Sequence, residues 1–224
     1  MKEYLFDIDK EECSRLATDY FMADSGLYRE GHKFEKMRED AFRMRGVIEE
    51  RIKIRAMGIY SEEISFSGRK AVIENVEFAC NAFELIDPAS VRGVYLYALS
   101  VGDFGYPEEP IMDQLYADIW GSAFTDAARV LIKAQLESES RLSDSFGPGF
   151  YGMDVSEMPK LASMLSFDKL DMEIRNSRIL LPLKSCAGMY FAVNDDYVKL
   201  NSACESCRGN HKSCVLCHVY GGVN

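Results

Sequence analysis

The stretch that decides the fold is Pro182-Leu183-Lys184-Ser185-Cys186-Ala187-Gly188-Met189-Tyr190-Phe191. Its proline and small residues predict a turn, and apolar runs typical of strands lie on both sides of that turn. A glycine–proline loop, Gly147-Pro148-Gly149-Phe150-Tyr151-Gly152, lies upstream, and a short helical pattern follows it. The predicted order in this half of the chain is therefore loop, helix, strand, turn and strand.

The remaining patterns complete the predicted fold. Helices are expected over Asp9 to Arg55, with a break near Gly26, and over Lys70 to Leu85 and Pro110 to Glu137. Strands are expected over residues 91–101, 169–174, 178–183 and 186–193. Sequential short strands separated by polar turns indicate an antiparallel sheet. The predicted fold class is α+β, with helices packed on a twisted antiparallel sheet.

The composition indicates an acidic globular protein. The chain has 224 residues, a formal net charge of −10 and a pI near 4.9, and such a surface repels nucleic acid and anionic membranes. No run approaches the roughly 18 apolar residues of a membrane span. The N-terminus, Met1 to Asp7, lacks the basic start and apolar stretch of a signal peptide. We therefore expect a cytoplasmic protein that binds neither nucleic acid nor membranes.

The loop and the turn together resemble the S-adenosylmethionine-binding activation domain of cobalamin-dependent methionine synthase. In that family the loop reads Arg-x-x-Pro-Gly-Tyr and the turn reads Pro-x-x-Ser-Val-Ser-Gly. Ala98-Leu99-Ser100-Val101-Gly102 stands where the family has a strand ending in Thr-Ile-Gly. Phe124-Thr125-Asp126-Ala127-Ala128 carries the Asp-Ala pair of the family's long helix. The resemblance divides the chain into an N-terminal helical segment (1–58), a methionine-synthase-activation-like domain (59–200) and a cysteine-rich metal-binding tail (201–224).

The resemblance implies a pocket for S-adenosylmethionine between the loop and the turn. A glycine loop lets backbone groups approach a ligand closely, and an aromatic side chain there stacks on adenine or faces the sulfonium cation. The implied cofactor-binding residues are Asp126, Arg141, Pro148, Gly149, Phe150, Tyr151, Ser185 and Gly188. No residue is assigned a catalytic role, because neither a nucleophile nor an acid–base signature is evident.

The sequence departs from the family pattern at two positions of the loop. Ser145 stands where the family has an arginine that would pair with the ligand's carboxylate, and Arg141 comes four residues too early to replace it without a bulge. The carboxylate is then expected to be held by Arg141, Lys184 or water. The aromatic position is doubled, so Phe150 and Tyr151 are equal candidates. Asp126 is either a ligand contact or a solvated residue of its helix.

Four cysteines near the C-terminus predict a metal site. Cys204, Cys207, Cys214 and Cys217 form the pattern C-x2-C-x6-C-x2-C, in which each pair can clamp one metal between two thiolates. Zinc and an iron–sulfur cluster both accept four thiolates, and the sequence leaves the choice open. A set of reduced thiols at a chain terminus is the alternative without metal.

Two functions follow from the resemblance. The first is an S-adenosylmethionine-binding subunit that supports reductive methylation, and hence reactivation, of a cobalamin held by a partner methyltransferase, with an electron donor as a further partner. The second is a non-catalytic binding protein of the same fold that docks a corrinoid-binding protein and has lost the cofactor. The missing loop arginine favours the second function, and the retained turn at Pro182 favours the first.

Overall fold

A computed structural model describes residues 1–105, 110–176 and 178–200. Its α-helices are α1 (Lys10–Ser25), α2 (His32–Arg51), α3 (Ile111–Glu137) and α4 (Met158–Met164). Its strands are β1 (Lys2–Phe6), β2 (Arg55–Ser61), β3 (Ile64–Ser67), β4 (Lys70–Ile73), β5 (Val76–Ala79), β6 (Val91–Ser100), β7 (Glu173–Arg175), β8 (Ile179–Leu181) and β9 (Ser185–Val193). In the described part of the chain, no helix combines the length and apolarity that a membrane crossing needs.

A four-stranded antiparallel sheet forms the centre of the molecule, in the order β1-β2-β6-β9. Strand β6 lies inside the sheet, and all of its residues from Gly93 to Ser100 are buried. Such continuous burial shows that both faces of the sheet are covered. Strand β9 lies at one edge of the sheet.

Helices α1, α2 and α3 cover one face of the central sheet. Trp120 of α3 is fully buried and stacks on Phe21 of α1, with 3.9 Å between ring centroids. Its indole N–H donates to the carbonyl of Ala41 in α2 at 2.8 Å. One side chain thus joins all three helices and satisfies its own polar atom.

Smaller elements cover the opposite face. They are a three-stranded sheet (β3-β4-β5), a two-stranded sheet (β7-β8), helix α4 and 3-10 turns. Phe83, Phe146 and Phe191 form an aromatic cluster here, with ring centroids 5.2 to 5.6 Å apart. The predicted α+β class with antiparallel sheets is confirmed.

The helix predicted over residues 70–85 is wrong. Strands β4 and β5 occupy most of it, followed by a 3-10 turn at Asn81–Leu85. Ala71 and Ile73 are buried while Lys70 is exposed, an alternation of period two. The helix prediction relies on an apolar face that includes Val72 and later residues. It does not take account of this alternation or of the β-branched residues in the segment, which favour strands.

Two other predictions need correction. The helical pattern expected to reach Arg55 ends at Arg51, and β2 crosses residue 58. The last three strand-like runs do not form one sheet, since β7 pairs with β8 while β9 pairs with β6. The first 58 residues also supply strand β1, which pairs with β2. The domain boundaries proposed from the sequence stay a prediction.

Candidate functional site

An open stretch of sheet edge sets the position of the candidate site. Residues 141–146, here called the covering segment, run beside the second half of β9. The backbones of Met189 and Phe146 exchange two hydrogen bonds, at 2.7 and 2.9 Å. The N–H of Ser143 donates to the Phe191 carbonyl at 2.9 Å, and its hydroxyl accepts from the Phe191 N–H at 2.9 Å. The covering segment therefore satisfies the outer backbone groups of β9 from Met189 onward.

Strand β9 and the covering segment approach each other closely at Gly188. A Cβ placed on Gly188 would lie 2.6 Å from the carbonyl oxygen of Phe146, so a side chain does not fit. On the other side of Gly188, the first half of β9 lines a cleft. Because alternate residues of a strand direct their N–H and C=O groups to opposite edges, the bonding at Met189 implies that the backbone of Ala187 faces this open side.

The cleft has a volume of about 350 Å³, which falls within the ~300–1,000 Å³ range of small-molecule sites. The start of β9, the loop after the covering segment and one face of α3 form most of its wall. Its lining residues are Tyr97, Ser122, Thr125, Asp126, Arg129, Ser145, Gly147, Pro148, Phe150, Met158, Leu180, Leu183, Lys184, Ser185, Cys186 and Ala187. The structure thus brings the glycine–proline loop and the turn after Pro182 together.

A tight turn shapes the glycine–proline loop. The N–H of Phe150 donates to the carbonyl of Gly147 at 2.8 Å, and Pro148 and Gly149 take the two central positions, as in a type II turn. Gly149 has a φ of +94°, and a Cβ placed on it would meet no atom within 4 Å. The backbone at Gly149 is therefore open to an approaching ligand.

The two aromatic residues of the loop turn in different directions. The side chain of Phe150 is exposed and lines the cleft. Tyr151 packs its ring on buried Phe146, with 5.1 Å between centroids, and its carbonyl accepts from the Ala82 N–H at 3.2 Å. Of the two loop residues, Phe150 is consequently the one whose ring faces the cleft, while Tyr151 holds the loop against the core.

Three charged side chains line the cleft. Asp126 and Arg129 lie one turn apart on α3, and Arg129 Nη2 donates to Asp126 Oδ1 at 3.0 Å. Lys184 follows the proline turn, and its Nζ lies 2.7 Å from Asp118 Oδ1 and donates to Ser122 Oγ at 2.9 Å. The cleft thus combines one carboxylate with two cations, although the net charge of the chain is −10.

Hydroxyl groups that carry no charge at neutral pH form part of the wall. The hydroxyl of Tyr97 lies 3.1 Å from Ser145 Oγ, and its ring stacks on Tyr190 at 5.1 Å. Burial, with smaller contributions from Cys186 and Tyr190, raises the pKa of Tyr97 well above its ordinary value. Tyr97 therefore stays protonated, and Ser145 is engaged with it.

The start of β9 supplies no activated nucleophile. Burial raises the pKa of the Cys186 thiol to about 12, and a protonated thiol is a poor nucleophile. The Ser185 hydroxyl donates to Ser100 Oγ on β6 at 2.9 Å. Neither Cys186 nor Ser185 is therefore activated for attack on a ligand in the cleft.

The predicted cofactor-binding residues differ in their position relative to the cleft. Those that line the cleft are Asp126, Pro148, Phe150 and Ser185. Gly149, Tyr151 and Gly188 shape the loop and the strand beside it. Arg141 does not line the cleft. Its Nη1 donates to Asp195 Oδ1 at 3.1 Å, and both residues line a separate pocket. The bulge that would bring Arg141 to the glycine loop is not formed.

Arg129 is not among the cleft residues predicted from the sequence, although one feature of the sequence points to it. Arg129 follows Asp126 by three residues, so a helix places both on the same face. The family motifs do not include this position, and a comparison of motifs therefore misses it.

The predicted metal ligands Cys204, Cys207, Cys214 and Cys217 lie outside the described residues. Within residues 1–105, 110–176 and 178–200, no three His, Cys, Asp or Glu side chains come together in a way that would hold a metal ion. The metal site of the tail stays a prediction.

Comparison with known proteins gives a result for the structure but none for the sequence. No family model and no curated protein match the sequence. A solved structure described as the MetH reactivation domain bound to AdoHcy matches with a TM-score of 0.61 and 14% sequence identity. The match covers 91% of this chain and 81% of that chain. The chain therefore has the fold of the MetH reactivation domain, as its loop and turn motifs predict.

Proposed function

We propose that the chain binds S-adenosylmethionine in the cleft at the open end of β9 and presents it to a cobalamin held by a partner methyltransferase. The observation that carries this proposal is the meeting of the glycine–proline loop, the start of β9 and the Asp126–Arg129 pair in one cleft. The likeness to a reactivation domain bound to AdoHcy supports it.

The cleft has counterparts for the adenine, the sulfonium and the amino-acid end of this ligand. The exposed ring of Phe150 offers a face on which adenine can stack. The open backbone at Gly149 permits close approach. The carboxylate of Asp126 complements the sulfonium or the ammonium group, and Arg129 or Lys184 complements the ligand's carboxylate.

S-adenosylmethionine supplies a methyl group, whose transfer to an electron-pair donor converts the sulfonium into a neutral thioether. Loss of the sulfonium charge on transfer weakens the attraction between the ligand and the carboxylate of Asp126 in the same cleft, which favours product release. Tyr97 and Cys186 remain protonated at neutral pH and take no proton. The residues of this chain therefore bind and orient the methyl donor, while the corrinoid and the electron donor that reduces it belong to partner proteins.

One observation favours a second function. Ser145 stands where the loop motif expects arginine, and its hydroxyl is engaged by Tyr97. A chain that has lost the cofactor would keep this fold and dock a corrinoid-binding protein as a non-catalytic binding protein. The two functions differ in one measurable property, the affinity for S-adenosylmethionine.

Calorimetric titration with S-adenosylmethionine and with AdoHcy measures that affinity. The native chain is expected to bind both, and Gly149→Val to bind neither, because valine is strained at a φ of +94° and blocks the open backbone. Gly68→Val is the matched control, since Gly68 also has a positive φ, +57°, and open space but lies outside the cleft. Absence of heat from the native chain at millimolar ligand would instead support the non-catalytic function.

A second assay tests the role in reactivation. The chain is mixed with a corrinoid protein in its oxidised, inactive state, a chemical reductant and methyl-labelled S-adenosylmethionine. We expect label on the corrinoid with the native chain and none with Gly149→Val. Equal labelling with and without the chain would show that it has no part in the transfer.

We also propose that the cysteine-rich tail binds zinc or an iron–sulfur cluster. The spacing of Cys204, Cys207, Cys214 and Cys217 supports this proposal. Metal analysis and absorption spectroscopy after anaerobic purification distinguish zinc, a cluster and free thiols. Loss of bound metal in Cys204→Ser and Cys214→Ser, but not in Cys13→Ser, is the expected result.

A further inference from the structure

We infer that Arg129 on helix α3 binds the ligand's carboxylate and takes over the role of the loop arginine that Ser145 replaces. This inference rests on the proposed function and assigns the part of the site that its motifs leave open. The recognised group is the carboxylate of an α-amino acid, which is the end of S-adenosylmethionine farthest from the adenine.

The other groups that could bind the ligand's carboxylate either lie outside the cleft, carry no charge or already make other contacts. Ser145 carries no charge, and its hydroxyl is paired with Tyr97. Arg141 pairs with Asp195 outside the cleft. Water carries no positive charge and cannot form the bidentate ion pair that a guanidinium makes with a carboxylate. The choice therefore lies between the two cations of the cleft.

Lys184 is already committed to groups of the protein. Its Nζ contacts both Asp118 and Ser122, at 2.7 and 2.9 Å, and its side chain is only 14% exposed. A Cβ placed on Gly121 would lie 2.8 Å from Lys184 Cγ, so the stem is packed against α3. Moving this ammonium group to a ligand would break contacts that it makes now.

Arg129 has donors to spare. Its side chain is 31% exposed, and its bond to Asp126 uses one nitrogen, Nη2. A guanidinium carries five N–H donors in a planar fork that matches a carboxylate. Asp126 holds Arg129 in place and also presents a negative group beside it. The pair thus offers a cation and an anion side by side, as the carboxylate and ammonium of an α-amino acid require.

The test compares two ligands with several variants by calorimetry. The ligands are AdoHcy and the analogue in which hydrogen replaces its carboxylate. The native chain is expected to bind AdoHcy about ten- to a hundredfold more tightly than the analogue. Arg129→Gln should bind both ligands about equally, and Arg129→Lys, which keeps the charge but loses the fork, should fall between.

Matched variants show whether a change in affinity comes from the loss of the Arg129 contact or from a change in the fold. Lys133→Gln removes a cation one turn further along α3, where Lys133 pairs with Glu137, and should discriminate as the native chain does. Arg129→Gln combined with Ser145→Arg should regain discrimination, because the arginine returns to the loop. Circular dichroism checks that each variant folds. If Arg129→Gln does not fold, Arg129→Lys and its combination with Ser145→Arg give the same comparison.

The outcomes separate the inference from the function on which it rests. Native discrimination that persists in Arg129→Gln overturns the inference and leaves the proposed function standing. If Lys184→Gln loses the discrimination between the two ligands while Arg129→Gln keeps it, the inference is overturned as well, and Lys184 is the residue that binds the carboxylate. If the native chain binds neither ligand, the proposed function fails and the inference fails with it.

Discussion

The two halves of strand β9 belong to one continuous strand and pair with the same neighbour, yet their outer edges differ. From Met189 to Val193 the edge is closed by the covering segment, and its side chains belong to the core. From Ser185 to Ala187 the edge lines a cleft. Proteins normally cover or charge such edges to prevent unwanted pairing. Here half of the edge is covered, and the other half lines the cleft in which we propose that a ligand binds.

The largest expected effect on stability is at Phe146, which closes the covered half. Phe146→Ala should lower the free energy of unfolding by about 3–5 kcal/mol, because the ring is fully buried against Phe83, Phe191 and Tyr151. Chemical denaturation gives the value. A loss below about 1 kcal/mol would mean that the covering segment contributes little to the core.

Gly188, at the boundary between the two halves, should come next. Gly188→Ala places a Cβ 2.6 Å from a backbone oxygen, and the strain should cost about 2–3 kcal/mol. Gly46→Ala is the control, because Gly46 lies in the middle of α2 with no atom within 4 Å of its Cβ position. It should stabilise the chain by up to about 1 kcal/mol. Similar shifts of the same sign in both variants would contradict the close approach.

A smaller effect is expected at Ser143, whose hydroxyl takes the place of a backbone acceptor for β9. Ser143→Ala leaves the buried N–H of Phe191 without that acceptor and should cost about 1–2 kcal/mol. Ser163→Ala removes an exposed hydroxyl that donates to the Lys160 carbonyl in its own helix, and thermal denaturation should show almost no change. Equal melting temperatures for the two variants would show that Ser143 is dispensable.

The smallest effect on stability is expected at Phe150, on the open half. Phe150→Ala should change the free energy of unfolding by less than about 0.5 kcal/mol, because the ring is exposed. It should nevertheless weaken AdoHcy binding about tenfold, since an aromatic–base stack is lost. Together with Phe146→Ala it separates the two halves: one variant affects folding, and the other affects binding. Unchanged affinity would remove Phe150 from the adenine site.

The sequence predicted the parts of the fold that local patterns determine. Helix α3 and strands β6 and β9 have long or strongly apolar patterns, and each appears close to its predicted range. The hairpin of β4 and β5 was mistaken for a helix because short amphipathic runs satisfy both periods. Strand β1 was missed because an edge strand of five residues has few buried positions to reveal it.

The candidate site shows the same division between local and tertiary information. The loop and turn motifs located the cleft, since each is a local backbone feature. The local sequence does not show whether Phe150 or Tyr151 faces the cleft. Tyr151 faces the core because of contacts with Phe146, from the covering segment, and with Ala82, which is distant in sequence. Arg129 likewise lines the cleft only because α3 and the start of β9 come together in the folded chain.

The order of the central sheet follows the order of the chain, β1-β2-β6-β9. During synthesis the sheet can therefore grow by adding each new strand to the same side, and β9 arrives last. Until residue 193 has emerged, strand β6, whose residues from Gly93 to Ser100 are all buried in the complete sheet, is the exposed edge, and it is the segment at which a half-made chain would associate with others. The cleft also needs the start of β9, so the proposed ligand site forms only once this strand has been made. Completing the cleft and protecting the nascent chain from aggregation are the same late event.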